Sequence, residues 1–139
     1  MSFREKSAWI SFVLLLIVLA AFFTTAARIS AGEIERNLGF RIEIGLLVGF
    51  VALEILLHAG IALQAPDEAR AGRDEREQLI AMRATRNAFP VLVLGSLGSV
   101  GLLHVTSSAW QIGHHVLLAI MVALLVKFGW QIVYFRQGV

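Results

Sequence analysis

The chain has 139 residues, 58% of them hydrophobic and 16% charged, with a mean hydropathy of +0.76. A soluble domain carries about 25% charged and 45–50% apolar residues, and one small core cannot bury such a surplus, so the excess must face lipid. That excludes a soluble globular fold and a disordered chain; a formal charge of +2 offers no nucleic-acid surface, and a chain without cysteine has no disulfide, thiolate metal site or cysteine nucleophile.

A crossing helix needs roughly 20 apolar residues, and four stretches meet that length. The first, residues 8–27, carries no charge. Arg4 and Lys6 before it and Thr25, Ala26 and Ala27 after it give it the outline of a signal peptide. Its apolar run exceeds the usual span of about 7–15 residues, so a retained crossing is expected. The second, residues 42–64, contains Glu43, Glu54 and His58. Residues 65–88 form the one strongly polar segment: Pro66 and Gly72 break the chain, and from Arg73 a helix is predicted to lead into the third span. Pro90 marks either the start of a new helical segment or a kink in a continuous one. The third span, residues 89–108, is glycine-rich and carries His104; the fourth, residues 109–135, carries His114, His115 and Lys127. The last two are joined so closely that they should form a tight hairpin. The expected fold is all-α, a single membrane domain of four helices in two antiparallel hairpins.

Lysine and arginine set the orientation. Arg4, Lys6, Arg70, Arg73, Arg76, Arg83, Arg86 and Arg136 share one side, against Arg28, Arg36 and Arg41 on the other. Both termini and the 65–88 segment are therefore expected in the cytoplasm, with Trp9, Trp130 and Tyr134 near the inner interface and Trp110 near the outer one. The arginines of the central segment suit either anionic headgroups or a cytoplasmic partner.

Within the spans, Gly45, Gly49 and Gly60 lie on one face of the second helix, and Gly95, Gly98 and Gly101 recur in the third. Small residues let helix backbones approach closely in lipid, so these six are the expected packing positions. Glu54 and His58 lie four residues apart on the opposite face of the second helix. With a rise of about 1.5 Å per residue, Glu54 falls within roughly 2 Å of the bilayer centre, and His58 and Lys127 about 7–8 Å towards the cytoplasm. A charge at that depth costs about 3 kcal/mol on an insertion scale, so such groups pair, neutralise or face a cavity. Glu54, His58 and Lys127 are the candidate polar site: either a structural ion pair or hydrogen-bonded group, or a proton or cation site. His104, His114 and His115 lie about 9–11 Å towards the outer face by the same rise. They are candidate ligands for haem b or a divalent metal, with Glu33, Glu35 and Glu43 on the same side. Adjacent His114 and His115 point about 100° apart, so only one of them should face His104. No H-E-x-x-H or G-x-S-x-G pattern occurs, and an enzyme is not expected.

The segments FREKSAW (residues 3–9) and DEREQLIAMRATR (residues 74–86) resemble those of an uncharacterised family of small bacterial four-span inner-membrane proteins. The resemblance implies a polytopic inner-membrane protein and supplies no activity. A weaker likeness is to small multidrug transporters, whose membrane glutamate stands in the first span rather than the second. The leading expectation is an interaction or accessory protein contacting lipid, a second copy of itself, or another membrane or cytoplasmic protein. A proton- or cation-linked transporter centred on Glu54 and a haem- or metal-binding protein are the alternatives.

Overall fold

A computed structural model describes residues 3–64, 66, 74–102 and 109–138. The described chain is an all-α bundle of four helices: α1 (Phe3–Ser30), α2 (Arg36–Gln64), α3 (Glu75–Gly101) and α4 (Ala109–Gln137). α1 and α4 form the centre; α2 packs on α1 and more lightly on α4, while α3 packs along α4. Consecutive helices run antiparallel. Ser11 of α1 meets Glu54 of α2, and Asn87 of α3 meets Tyr134 of α4.

Local chemistry explains the helix ends. α1 stops in a Schellman motif: the Gly32 amide donates to the Ile29 carbonyl (3.1 Å) and the Glu33 amide to that of Arg28 (2.9 Å). Gly32 sits at φ 76°, the left-handed conformation that this motif requires and that glycine adopts without strain. α3 begins at an Asp74 cap whose carboxylate accepts from the Glu77 amide at 2.6 Å. From there α3 runs unbroken through Pro90, so the central charged helix and the third apolar stretch are one rod. Pro90 lacks the N–H that would reach the Arg86 carbonyl one turn earlier. The connection between α3 and α4 lies outside the described residues.

α1, α2 and residues 110–137 of α4 are long and apolar enough to cross a membrane. α3 does not reach that measure over its described residues, because its first half carries Glu75, Arg76, Glu77, Arg83 and Arg86. The buried residues of α1 recur every three or four positions, from Ala8 through Ser11, Leu15, Val18, Phe22 and Thr25 to Ile29, which traces one stripe along the helix. Leu15, Val18 and Phe22 meet Phe50 of α2 and Met121 of α4 in the waist of the bundle. α2 turns most of its surface outward, with Val48, Ile55 and Leu56 more than 60% exposed. In lipid such a surface is solvated by acyl chains.

The glycines correct the expectation for packing. Only Gly95 of the six lies at a close helix contact: a Cβ built there would stand 2.7 Å from the Ala119 Cβ and 3.4 Å from its Cα. Gly45, Gly49, Gly60, Gly98 and Gly101 have open space at that point within the described chain. On α2 the reason is rotational. Glu43 and Glu54 turn towards the bundle, and the glycine stripe on the opposite face is carried outward. Two close approaches lie elsewhere: Gly39 against Ile29, and Gly113 beneath the Phe40 ring, where a Cβ built on the glycine would stand 2.8 Å from the ring.

Candidate functional site

The half of the bundle nearer the two chain ends holds a polar cavity of about 240 Å³ between α1, α2, α3 and α4. Arg4, Ser7 and Ser11 line it from α1, Glu54 and His58 from α2, Glu77 from α3, and Lys127 from α4. Sequence positions explain the convergence. Ser7 and Ser11 are one turn apart on the buried stripe of α1, Glu54 and His58 one turn apart on α2, and the antiparallel pairing sets the two turns side by side.

The hydrogen bonds are specific. Ser11 Oγ donates to Glu54 Oε2 at 2.8 Å. His58 Nδ1 lies 2.7 Å from the Glu54 backbone carbonyl and 3.4 Å from its Oε2. A carbonyl oxygen can only accept, so Nδ1 carries a hydrogen and donates. His58 Nε2 bonds Ser7 Oγ. A serine hydroxyl both donates and accepts, so Ser7 serves the neutral imidazole as donor and the imidazolium as acceptor. His58 can thus gain or lose a proton at Nε2 without losing a partner. Glu54 Oε1 is buried and has no protein partner among the described residues. At the mouth, Arg4 Nε stands 3.6 Å from Glu77 Oε2, so the FREKSAW and DERE segments meet there. Lys127 reaches the cavity wall beside Phe128, whose ring centroid is 5.6 Å from its Nζ.

Glu54, His58 and Lys127, singled out by depth alone, therefore surround one cavity. Sequence reasoning missed Ser7, Ser11, Arg4 and Glu77. The signal for the serines was present, two hydroxyls four residues apart near the start of an otherwise apolar span. The partners Arg4 and Glu77 are separated by most of the chain, and only the tertiary fold brings them together.

The outer histidines separate. His114 turns into the bundle, its Nδ1 2.8 Å from Glu43 Oε1 and its ring stacked on Phe22 with centroids 4.5 Å apart. Trp110 packs beside it, with ring centroids 5.5 Å apart. Its indole N–H is buried, without a protein partner among the described residues, so it points inward. His115 is exposed and donates from Nδ1 to the Gln111 carbonyl of its own helix at 2.6 Å. His104 lies outside the described residues. Glu43 joins the histidine cluster as His114's hydrogen-bond partner, while Glu33 pairs with Arg28 at the surface. Among the described residues no three His, Asp or Glu side chains are grouped to hold a metal ion. One imidazole turns inward to a carboxylate and its neighbour turns away, the divergence expected of adjacent helical residues; the pairing expected with His104 lies outside the described residues.

Comparison with known proteins finds no family model, curated relative or solved structure that matches the chain.

Proposed function

We propose that this is a small multi-pass protein of a bacterial inner membrane, with α3 as its fourth crossing, whose chemistry is proton uptake from the cytoplasm at the Glu54–His58 pair. One observation carries the reading: within an apolar bundle, an imidazole is held between a carboxylate and a hydroxyl that serves both of its protonation states, at the wall of a polar cavity. Intramembrane ionisable groups that face a cavity typically lie on proton or ion pathways. Lys127 and Arg4 supply positive charge around the same space, and the proton enters at His58 Nε2. The chemistry is binding and release of a proton, with no covalent step.

Reconstitution tests it. Protein in vesicles of phosphatidylethanolamine and phosphatidylglycerol, with a pH-sensitive dye inside, should admit protons when a potassium diffusion potential is imposed. Glu54→Gln keeps the side-chain volume and a hydrogen-bond acceptor for Ser11, so the fold should persist while proton entry falls to that of protein-free vesicles. Entry equal to that of the unmodified protein would remove Glu54 from the path.

Orientation has its own measurement. Glu33 and Gln137 lie at opposite ends of the bundle. In a chain without native cysteine, Glu33→Cys should react with an impermeant thiol reagent in intact cells and Gln137→Cys only after lysis. The reverse pattern would place the polar cavity on the outer side and overturn uptake from the cytoplasm.

A second reading, the interaction or accessory protein, is favoured by the outward glycine face of α2. Gly45, Gly49 and Gly60 leave room for a close approach by another helix. Arg83, Arg86, Met82 and Phe89 are exposed on the first half of α3, where a cytoplasmic partner or anionic headgroups would meet them. A reduced oligomer size in detergent on Gly49→Leu would support this reading.

A further inference from the structure

We propose that Glu43 and His114 form a second proton-binding site, in the outer half of the bundle, which holds one proton between carboxylate and imidazole independently of the Glu54–His58 cavity. Only its place as the outer station of a proton path rests on the function proposed above; the site itself does not.

The pair is built for one proton. Glu43 is 1% exposed, and its Oε1 lies 2.8 Å from His114 Nδ1. Two arrangements satisfy that contact: an N–H donating to a carboxylate, or a carboxylic O–H donating to the ring nitrogen. A buried pair with a net charge is costly in a low-dielectric interior, whereas one proton beyond the ionised carboxylate and neutral ring makes the pair neutral overall. Among the described residues, Glu43 Oε2 and the indole N–H of Trp110, whose ring packs 5.5 Å from that of His114, are buried without a protein partner. The carboxylate thus keeps a free acceptor oxygen beside the shared proton.

The surroundings leave that proton to the pair. From α1 the ring meets Phe22, and from α4 it meets Trp110 and the edge of His115. Among the described residues, the ionisable groups at this end are Arg28 and Glu33, paired with each other at the surface, exposed Glu35, Arg36 and Arg41, and His115, which is exposed and bonded to its own helix. None of these makes a hydrogen bond or ion pair to Glu43 or His114 among the described residues.

Register relates the two sites. Glu43 and Glu54 are eleven residues apart on α2, three turns with about 20° to spare and about 16 Å along the axis. They share one face, and Phe50 stands between them. The other helices repeat the order. α1 presents Ser11, then Leu15 and Val18, then Phe22; α4 presents Lys127, then Met121, then His114. The apolar waist of Leu15, Val18, Phe22, Phe50 and Met121 therefore separates two carboxylate–imidazole stations.

Nitrogen-15 NMR of histidine-labelled protein in lipid nanodiscs tests the site, with the His114 ring signals assigned by their loss in His114→Gln. The expected result is a single pH titration of both His114 ring nitrogens, with its midpoint displaced in Glu43→Gln and unchanged in Glu54→Gln. Ring signals that do not move with pH in the folded, unsubstituted protein would show a fixed hydrogen bond and overturn the proposal. So would loss of the His114 titration in Glu54→Gln, which would mean one network and not two sites. If Glu54→Gln conducts protons like the unmodified protein while the His114 titration persists, the uptake reading fails and the second site stands.

Discussion

Gly95→Leu is expected to destabilise the bundle by about 1–3 kcal/mol or more, the cost of forcing extra side-chain atoms into a packed contact, whereas Gly49→Leu leaves the stability of the single chain unchanged. At Gly95 the first added carbon already stands 2.7 Å from the Ala119 Cβ and 3.4 Å from its Cα. Neither atom belongs to a flexible side chain, so relief requires α3 to move away from α4 along their most extensive contact. Ser99, one turn on, is buried and donates its hydroxyl to the Gly95 carbonyl at 2.7 Å, which fixes that face of α3. At Gly49 nothing stands within 4 Å of the added carbon. Unfolding in mixed micelles at rising SDS fraction reads both variants. Equal stabilities would show that the α3–α4 contact is loose.

Phe50→Ala should show the second large effect, a loss of about 3–5 kcal/mol typical of deleting a buried aromatic ring. Phe50 is 4% exposed and packs in the waist with Leu15, Val18, Phe22 and Met121. The ring stands between Glu54 and Glu43 on one face of α2, so its removal opens space where the two polar regions come nearest. Passive proton leak in the vesicle assay should therefore rise above that of the unmodified protein. Leu53→Ala, at a position 46% exposed on the same helix, is the control and should change neither stability nor leak. A stable Phe50→Ala bundle would mean that the waist is not the seal between the two halves.

The outward glycines and the inward acids of α2 show how far the sequence could be read. Opposite faces for Gly45 and Gly49 and for Glu54 and His58 follow from helical periodicity alone. Which face meets the neighbour does not, because in lipid both apolar and small surfaces are solvated equally well, and polar pairing breaks the tie. Ser7 and Ser11 of α1 supply that pairing, and their role depends on the antiparallel register of α1 against α2. The glycines were read as packing positions by residue type. Gly95 met that reading because Ala119 happens to be opposite it; Gly98 and Gly101, displaced around the helix axis, did not.

The sequence by itself determined the class of object: 58% hydrophobic residues in runs of about 20 point to helices with apolar surfaces, since a helix satisfies every backbone N–H and carbonyl within its own segment. It also determined where Glu54, His58 and Lys127 stand along their helices, because rise per residue is a fixed property of the helix. The tertiary structure alone decided the partners. Arg4 with Glu77, Ser11 with Glu54 and Glu43 with His114 join residues far apart in the chain, and rotation of each helix about its axis selects them. That rotation is set by all the contacts of the bundle together, and no local pattern carries it.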